Sequence, residues 1–296
     1  MKQFLYYYLR SMRLYYNFVT GATTLAGLLI LPVHGWNWQY TVTLLIGFTA
    51  WGVNQIFSDW LDRKEDAVNA PHRPMVTGKL AARPALLLSA GFMVLFAVLV
   101  FFISPRALLI LLAGGLLNSG YSLAKPLPVL NCVVYGLAIC CCFCLGAEVR
   151  GVAPEDHIRA ALLYILPAHV LMCSFSYYKD KAGDRAAGIR TLQTLYPDGI
   201  TLPLHALAGI IYTFFLLHFS GLGASLLFFL QIIVLTLLIF RLAAKKYHSA
   251  TCLNCQLCVL WLFSFCCNTT PVITAAALGS LVLIWLLFQW YSDDKE

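Results

Sequence analysis

Asp59, Asp62 and Asp66 lie at i, i+3 and i+7 in the stretch "SDWLDRKEDAVNAPHRP", residues 58–74. On a helix these offsets share one face. Asp180 and Asp184, in "YKDKAGDRAAGIRTL" (178–192), are spaced i, i+4 and again share a face. Five carboxylates gathered at one place repel one another unless positive charge sits among them. Magnesium prefers hard oxygen ligands and binds through a few carboxylates together with substrate phosphates. Two acidic helix ends facing each other would therefore make a metal–diphosphate clamp. Arg63, Lys64, Arg73, Lys125, Lys179 and Lys181 are near in sequence and suit a departing diphosphate, whose charge Arg and Lys neutralise. A solvated loop of mixed charge is the plainer reading of any single D-x-x-x-D. Two such motifs, each directly after an apolar run, weigh against it. Tyr121 and Lys125, in "YSLAK", are i, i+4 and offer a third hold on phosphate, against a plain reading as interfacial Tyr and snorkelling Lys.

The elements that must position these groups are membrane helices. The chain has 296 residues, 60% of them apolar and only 11% charged. A soluble fold of that size could not cover so much apolar surface. Apolar runs long enough to span the hydrocarbon core fall at about 14–32, 41–57, 86–104, 107–121, 129–147, 159–177, 202–219, 223–241, 251–268 and 272–291. The ninth is the weakest, being Cys-rich and interrupted by Asn254 and Gln256. The expected fold is all-α: a polytopic transmembrane helical bundle of nine to ten spans around a central cavity, with residues 1–296 as one transmembrane domain.

With the N-terminus on the cytoplasmic side, only Arg106, Arg150 and Arg159 of the 20 Lys and Arg residues fall on the far side. That asymmetry sets the orientation. It places both long acidic loops, roughly 58–85 and 178–201, in the cytoplasm, and explains the net charge of +7 without a nucleic-acid partner. The start of the chain lacks a short apolar core followed by a cleavage site, so no secretory signal is expected. Cys252, Cys255 and Cys258 form C-x-x-C-x-x-C, and Cys140, Cys141, Cys142 and Cys144 cluster in "CCCFC". No fourth ligand or polar shell accompanies the triplet, so these cysteines read as small apolar residues of helices.

Taken together, "DWLDRKEDAVNAPHRP", "YSLAK" and "YKDKAGDRAAGIRTL" resemble the motifs of the UbiA-type intramembrane prenyltransferase superfamily in order, spacing and loop placement. The family pattern is N-D-x-x-D-x-x-x-D before P-x-R-P, then Y-x-x-x-K, then D-x-x-x-D trailed by G-x-x-T-L. The resemblance implies an enzyme that binds an isoprenyl diphosphate through Mg2+, ionises it, and joins the allylic cation to a small, usually aromatic, acceptor. It implies a cavity open to the cytoplasmic side and laterally to the lipid bilayer. By matched position it makes Asp59, Asp62, Asp66, Asp180 and Asp184 the catalytic metal ligands. Arg73, Tyr121 and Lys125 would bind substrate, and Asn17 would border the pocket. Arg63 and Lys181 join the substrate-binding residues on their charge and closeness in sequence alone. Tyr177 and neighbouring aromatics would shield the cation through their π faces.

Two departures stand out. Ser58 occupies the place of the family's leading Asn, with Asn54 one turn earlier on the same face. Cys173 stands where the branch acting on 4-hydroxybenzoate carries an acidic residue, which argues against that acceptor. His169, Cys173, Tyr177 and Asp180 share a helix face, so His169 is placed to orient or deprotonate an acceptor hydroxyl, or is a packed, hydrogen-bonded histidine. The same departures leave a terpene cyclase open, in which a double bond of the substrate's own chain captures the cation. A transporter is the alternative from another class, but its charges would gather near the midplane and its halves would repeat.

Overall fold

The computed structural model describes residues 1–31, 35–124, 127–186, 188–217, 224–265 and 271–291. Lys125 lies outside them. Among the described residues fourteen α-helices follow in order: α1 Lys2–Ser11, α2 Leu14–Leu28, α3 Trp38–Leu61, α4 Arg63–Asn69, α5 Ala82–Ile103, α6 Pro105–Ala124, α7 Leu130–Val149, α8 Pro154–Ala160, α9 Leu166–Ala186, α10 Leu192–Leu195, α11 Asp198–Leu216, α12 Ala224–Ala243, α13 Tyr247–Phe265 and α14 Pro271–Tyr291. Among the described residues there is no strand, and the fold is all-helical.

Local chemistry sets several of the ends. The Asn37 side chain accepts from the Tyr40 N–H at 2.9 Å and opens α3. Pro105, Pro154 and Pro271 stand at the first positions of α6, α8 and α14, where a missing N–H costs nothing. Between α8 and α9 runs a π-helical turn, Ala161–Ile165. Widened turns release carbonyls from the helical ladder. Here the Tyr164 carbonyl accepts from the Tyr212 hydroxyl, and the Ala161 carbonyl from the Cys140 thiol at 3.5 Å.

Among the described residues, six helical stretches are long and apolar enough to cross a membrane: Ala82–Ile103, Leu130–Val149, Pro154–Ala186, Asp198–Leu216, Leu226–Ala243 and Val272–Tyr291. The sequence marks ten runs, and each is helical over most of its length. Three of those outside the six spend positions on polar groups turned inward, such as Thr20 and Thr23 in α2, Gln55 and Asp59 in α3, and Asn254 in α13. The cysteines of α13 pack in the apolar core as free thiols, with Cys255 and Cys258 fully buried. The residues that interrupt its apolar run tie it to neighbours: Asn254 donates to the Met172 carbonyl at 2.8 Å and Gln256 to the Leu281 carbonyl at 2.9 Å.

The helices pack largely in chain order, α2 on α3, α3 on α5, α5 on α6, α6 on α7 and α7 on α9. Then α11, α12, α13 and α14 follow, and α14 returns to α2. Inside this ring α2 also crosses α7 and α13. The α2–α7 crossing is backbone against backbone. A Cβ on Gly146 would sit 2.3 Å from the Thr24 carbonyl oxygen, and one on Gly27 would sit 2.1 Å from that of Phe143. Small residues at such crossings let helices approach closely. Gly146→Ala is expected to lower stability by about 1–3 kcal/mol through overpacking. Thermal unfolding of the purified protein checks this against Gly91→Ala, where the added methyl meets open space.

Candidate active site

Four helix ends meet around a cavity of about 150 Å³. α3 delivers Trp51, Gln55 and Ser58, and stops at Asp62, which caps α3 and opens α4. One turn of α4 later comes Asp66. Across the cavity the last turns of α9 present Cys173, Tyr177, Asp180 and Asp184. α6 adds Asn118 and Tyr121, and the start of α2 adds Arg13 and Tyr16. Arg73 and Lys179 complete the basic side.

The loop after α4 holds Arg73 in a tight turn. The Arg73 N–H donates to Ala70 O at 3.0 Å, and its own carbonyl accepts from the Thr77 N–H at 2.9 Å and the Thr77 hydroxyl at 3.0 Å. Pro71 and Pro74 flank it with fixed φ. The "GIRTL" segment after α9 is equally structural. Gly188 takes φ +72, and its N–H and that of Ile189 cap the carbonyls of Arg185 (3.3 Å) and Asp184 (2.8 Å). These are the paired bonds of a Schellman stop. Thr191 then caps α10 in a reciprocal box with Thr194. Gln193 donates to the Ser174 carbonyl at 2.7 Å, pinning the loop to α9.

The three first-motif carboxylates divide. Asp62 and Asp66 face the cavity. Asp59 does not: it is 2% exposed and accepts from Arg13 Nη2 and Gln55 Nε2, each at 2.8 Å. Arg73 links the two groups, pairing with Asp66 and standing 3.9 Å from Asp59. Arg13 itself has φ 49 and ψ 61, a left-handed conformation costing about 1–2 kcal/mol for a residue with a Cβ. Burial raises the Asp66 pKa above its ordinary value, and Asp59 adds to that, while Arg73 and Arg13 pull it down. Burial and Arg13 work against the charge on Arg73, yet Asp59 and Asp66 hold its pKa above the usual value.

The other sequence candidates are placed as follows. Ser58, Cys173, Tyr121 and Tyr177 line the cavity, and the Tyr121 and Tyr177 hydroxyls bond to each other. Asn54 lines a neighbouring apolar pocket of about 60 Å³ instead, which shares Trp51 and Asn118 with the polar cavity. Asn17 is buried against Gly52, away from the cavity lining. Arg63 turns outward, stacking over Trp60 at 4.9 Å and donating to its carbonyl at 2.6 Å. Lys181 pairs with Asp198 at 2.5 Å. His169 is fully buried. Its Nε2 lies 3.1 Å from the Thr23 hydroxyl, which itself donates to Val19 O, so Nε2 carries the proton. Its Nδ1 faces the Cys258 sulfur at 3.7 Å, and its ring meets Tyr135 edge-on. That is the packed, hydrogen-bonded histidine rather than one open to the cavity.

Trp51, Gln55, Asn118 and Tyr135 were not singled out from the sequence, yet all four line the cavity. The signal was there for two of them: Trp51, Gln55, Ser58 and Asp62 follow an i, i+4, i+7, i+11 stripe up the same helix.

Among the described residues no three His, Cys, Asp or Glu side chains converge as a ready-made metal cage. Magnesium seldom asks for one, taking one or two carboxylates and completing its octahedron with water and phosphate. Asp62 and Asp66 on one wall and Asp180 and Asp184 on the other supply hard oxygen donors of that kind. The donor set fits a divalent cation shared with a bound diphosphate.

Residues 20–254 match the UbiA prenyltransferase family. The chain is 30% identical over 146 residues to digeranylgeranylglyceryl phosphate synthase of Methanopyrus kandleri, covering 49% of this chain and 53% of that one. It is 29% identical over 176 residues to the bacteriochlorophyll synthase 34 kDa chain of Chloroflexus aurantiacus, covering 55% of each. The chain thus spans about half the length of these curated relatives. Among solved structures it superposes on a UbiA homologue from Aeropyrum pernix K1 with TM-score 0.70 at 16% identity, covering 89% of this chain and 96% of that one. A UbiA homologue from Archaeoglobus fulgidus, bound to DMAPP and Mg2+, gives TM-score 0.61 at 16% identity, with coverages of 96% and 97%. At such identities the structural likeness speaks for the fold.

Proposed function

The chain belongs to the UbiA prenyltransferase family, and we propose that it transfers an isoprenyl group from an isoprenyl diphosphate to a small aromatic acceptor, releasing diphosphate. The observation that carries this reading is one cavity, at one end of an apolar bundle, walled by four carboxylates and by Arg13, Arg73 and Lys179. The apolar pocket beyond Trp51 and Asn118 suits the start of a prenyl tail.

Asp62, Asp66, Asp180 and Asp184 are the residues to hold Mg2+, the ion bound with DMAPP in the A. fulgidus homologue. Bound there, it would neutralise diphosphate oxygens and make them a better leaving group. Arg13, Arg73 and Lys179 add fixed positive charge where the leaving group gathers negative charge. The allylic C1–O bond breaks and its electron pair leaves with the diphosphate. The faces of Tyr16, Trp51, Tyr135 and Tyr177 shield the cation from water and stabilise it. A ring carbon of the acceptor supplies the pair for the new C–C bond, and the ring proton passes to the departing diphosphate. Asp59 serves differently from the other four, by holding the two arginines.

The apolar helices make this an integral membrane protein. We place its N-terminus and the cavity on the cytoplasmic side, in keeping with the asymmetry of Lys and Arg. Residues 1–296 then act as one transmembrane unit, a reading supported by α14 packing back on α2.

Ser58 and Cys173, both at the cavity, keep the cyclase as the second reading. Purified protein incubated with prenyl diphosphates of several lengths, an acceptor panel and a no-acceptor control separates the two by mass spectrometry. A prenylated acceptor is expected. A cyclic hydrocarbon formed without acceptor would sink the transferase. EDTA should abolish turnover and added Mg2+ restore it; turnover persisting in EDTA overturns the metal assignment.

A further inference from the structure

A second cavity, of about 350 Å³, opens between α7, α9, α10 and α11, and nothing above uses it. Its mouth is apolar and exposed, formed by Val129, Tyr196, Ile200 and Leu204. Ile200 and Leu204 belong to a stretch long and apolar enough to cross a membrane, Asp198–Leu216, so this side of the mouth meets lipid at the bilayer's edge. Its floor is polar and buried. There Gln193 donates to the Ser174 hydroxyl at 3.3 Å, Ser174 bonds His205 Nε2 at 2.5 Å, and His205 Nδ1 lies 2.6 Å from the Thr201 carbonyl. A carbonyl only accepts, so Nδ1 carries a proton, and the Tyr178 hydroxyl stands 3.2 Å from the same nitrogen. That chain is complete in itself.

One donor on the floor is left over. Asn131 is 1% exposed and lines the cavity. Its Oδ1 accepts from the Cys132 N–H at 2.7 Å, while its Nδ2 has no partner among the described residues. A buried donor without an acceptor costs about 1–3 kcal/mol. Nδ2 has almost no accessible surface as it stands, so a ligand oxygen would remove that cost once the Asn131 amide turns into the cavity. Among the described lining residues none is Lys or Arg, so no permanent positive charge there would compensate a buried carboxylate or phosphate.

The two cavities share a wall one side chain thick. Tyr177 lines both. Beside it Cys132, facing the second cavity, packs in one cluster with Cys173, facing the first. Rotation of Tyr177 away from Tyr121 would join them.

We infer that this second cavity binds the acceptor, and that the acceptor is a neutral, membrane-soluble phenol or quinol whose oxygen accepts from Asn131. Its role as acceptor site rests on the function proposed above; the binding itself does not. The test uses the purified full chain and a diazirine-bearing 4-nonylphenol, with the matching 4-nonylbenzoate as charged comparison. Photolabelled peptides are mapped by mass spectrometry. Labels from the phenol are expected within 129–132, 170–177 and 192–208, with the benzoate at least about tenfold weaker. Ala208→Phe, which fills the cavity from α11, should remove the labels. Leu204→Trp, at an exposed position that puts the fold at little risk, should reduce them. Leu207→Trp, exposed on the same helix but outside the lining, should leave them unchanged. Labels scattered over other lipid-facing helices, equal labelling by the benzoate, or insensitivity to both cavity variants overturns the inference. In parallel, Leu204→Trp should raise the KM for a phenolic acceptor at least about threefold more than that for prenyl diphosphate. A wild type that labels here but consumes no prenyl diphosphate upholds this binding site and sinks the transferase. One that transfers but labels only in the polar cavity does the reverse.

Discussion

Asp62→Ala and Asp180→Ala each lower turnover by about 10²–10³-fold or more, the scale of removing a group that stabilises developing charge, while leaving thermal unfolding close to the wild type. The two residues stand on opposite walls of the cavity, at the ends of α3 and α9. Each is only half-buried, so truncation opens space to water rather than to the packed interior. The loss should therefore fall on metal and diphosphate binding. Asp62→Asn and Asp180→Asn keep the shape and remove the charge. They should behave like the alanine variants if charge is what the cavity supplies, and raising Mg2+ should recover part of the activity. Product formation by mass spectrometry, alongside thermal unfolding, checks both halves. Near-normal turnover in either alanine variant would remove that wall from the metal site, whereas a collapse in stability would make the residue structural.

Which parts of this site could be read beforehand follows from distance along the chain. The acidic pairs are local: i, i+3 and i, i+4 spacings at the end of an apolar run announce a shared helix face, and both ends do meet across one cavity. The helices are legible for the same reason, since an apolar run of about 20 residues has few other fates. What spacing does not carry is which neighbour a side chain meets. Asp59 and Asp62 sit one turn apart, yet Asp59 turns to Arg13, 46 residues upstream. Lys181 and Lys179 flank the same aspartate, yet Lys181 pairs with Asp198 and Lys179 lines the cavity. His169 sits one turn from Cys173, but Thr23 and Cys258 from α2 and α13 enclose it. Each of these outcomes depends on contacts between helices far apart in sequence, as does the second cavity between α7 and α11.

Asp59→Ala is expected to differ from its neighbours, destabilising the protein as well as silencing it. Breaking a buried ion pair leaves an uncompensated charge and typically costs about 3–5 kcal/mol. Here Asp59 is the carboxylate against Arg13 at 2.8 Å, and Arg73 stands 3.9 Å away. Without it two guanidinium groups, both mostly buried, would lose the carboxylate they share. Arg13 would also keep its left-handed backbone with one hydrogen bond of its side chain lost. Both arginines line the cavity, so their release should weaken diphosphate binding too. Asp59→Asn, which still accepts a hydrogen bond from Gln55, should fall between wild type and Asp59→Ala in stability. Arg13→Met combined with Asp59→Ala should destabilise by less than the sum of the two, because the first substitution removes the charge that Asp59 faces. Thermal unfolding of the four proteins makes the double-mutant cycle. If Asp59→Ala instead unfolds with the wild type and loses only metal-dependent diphosphate binding, Asp59 rejoins Asp62 and Asp66 as a ligand, as their common spacing first suggested.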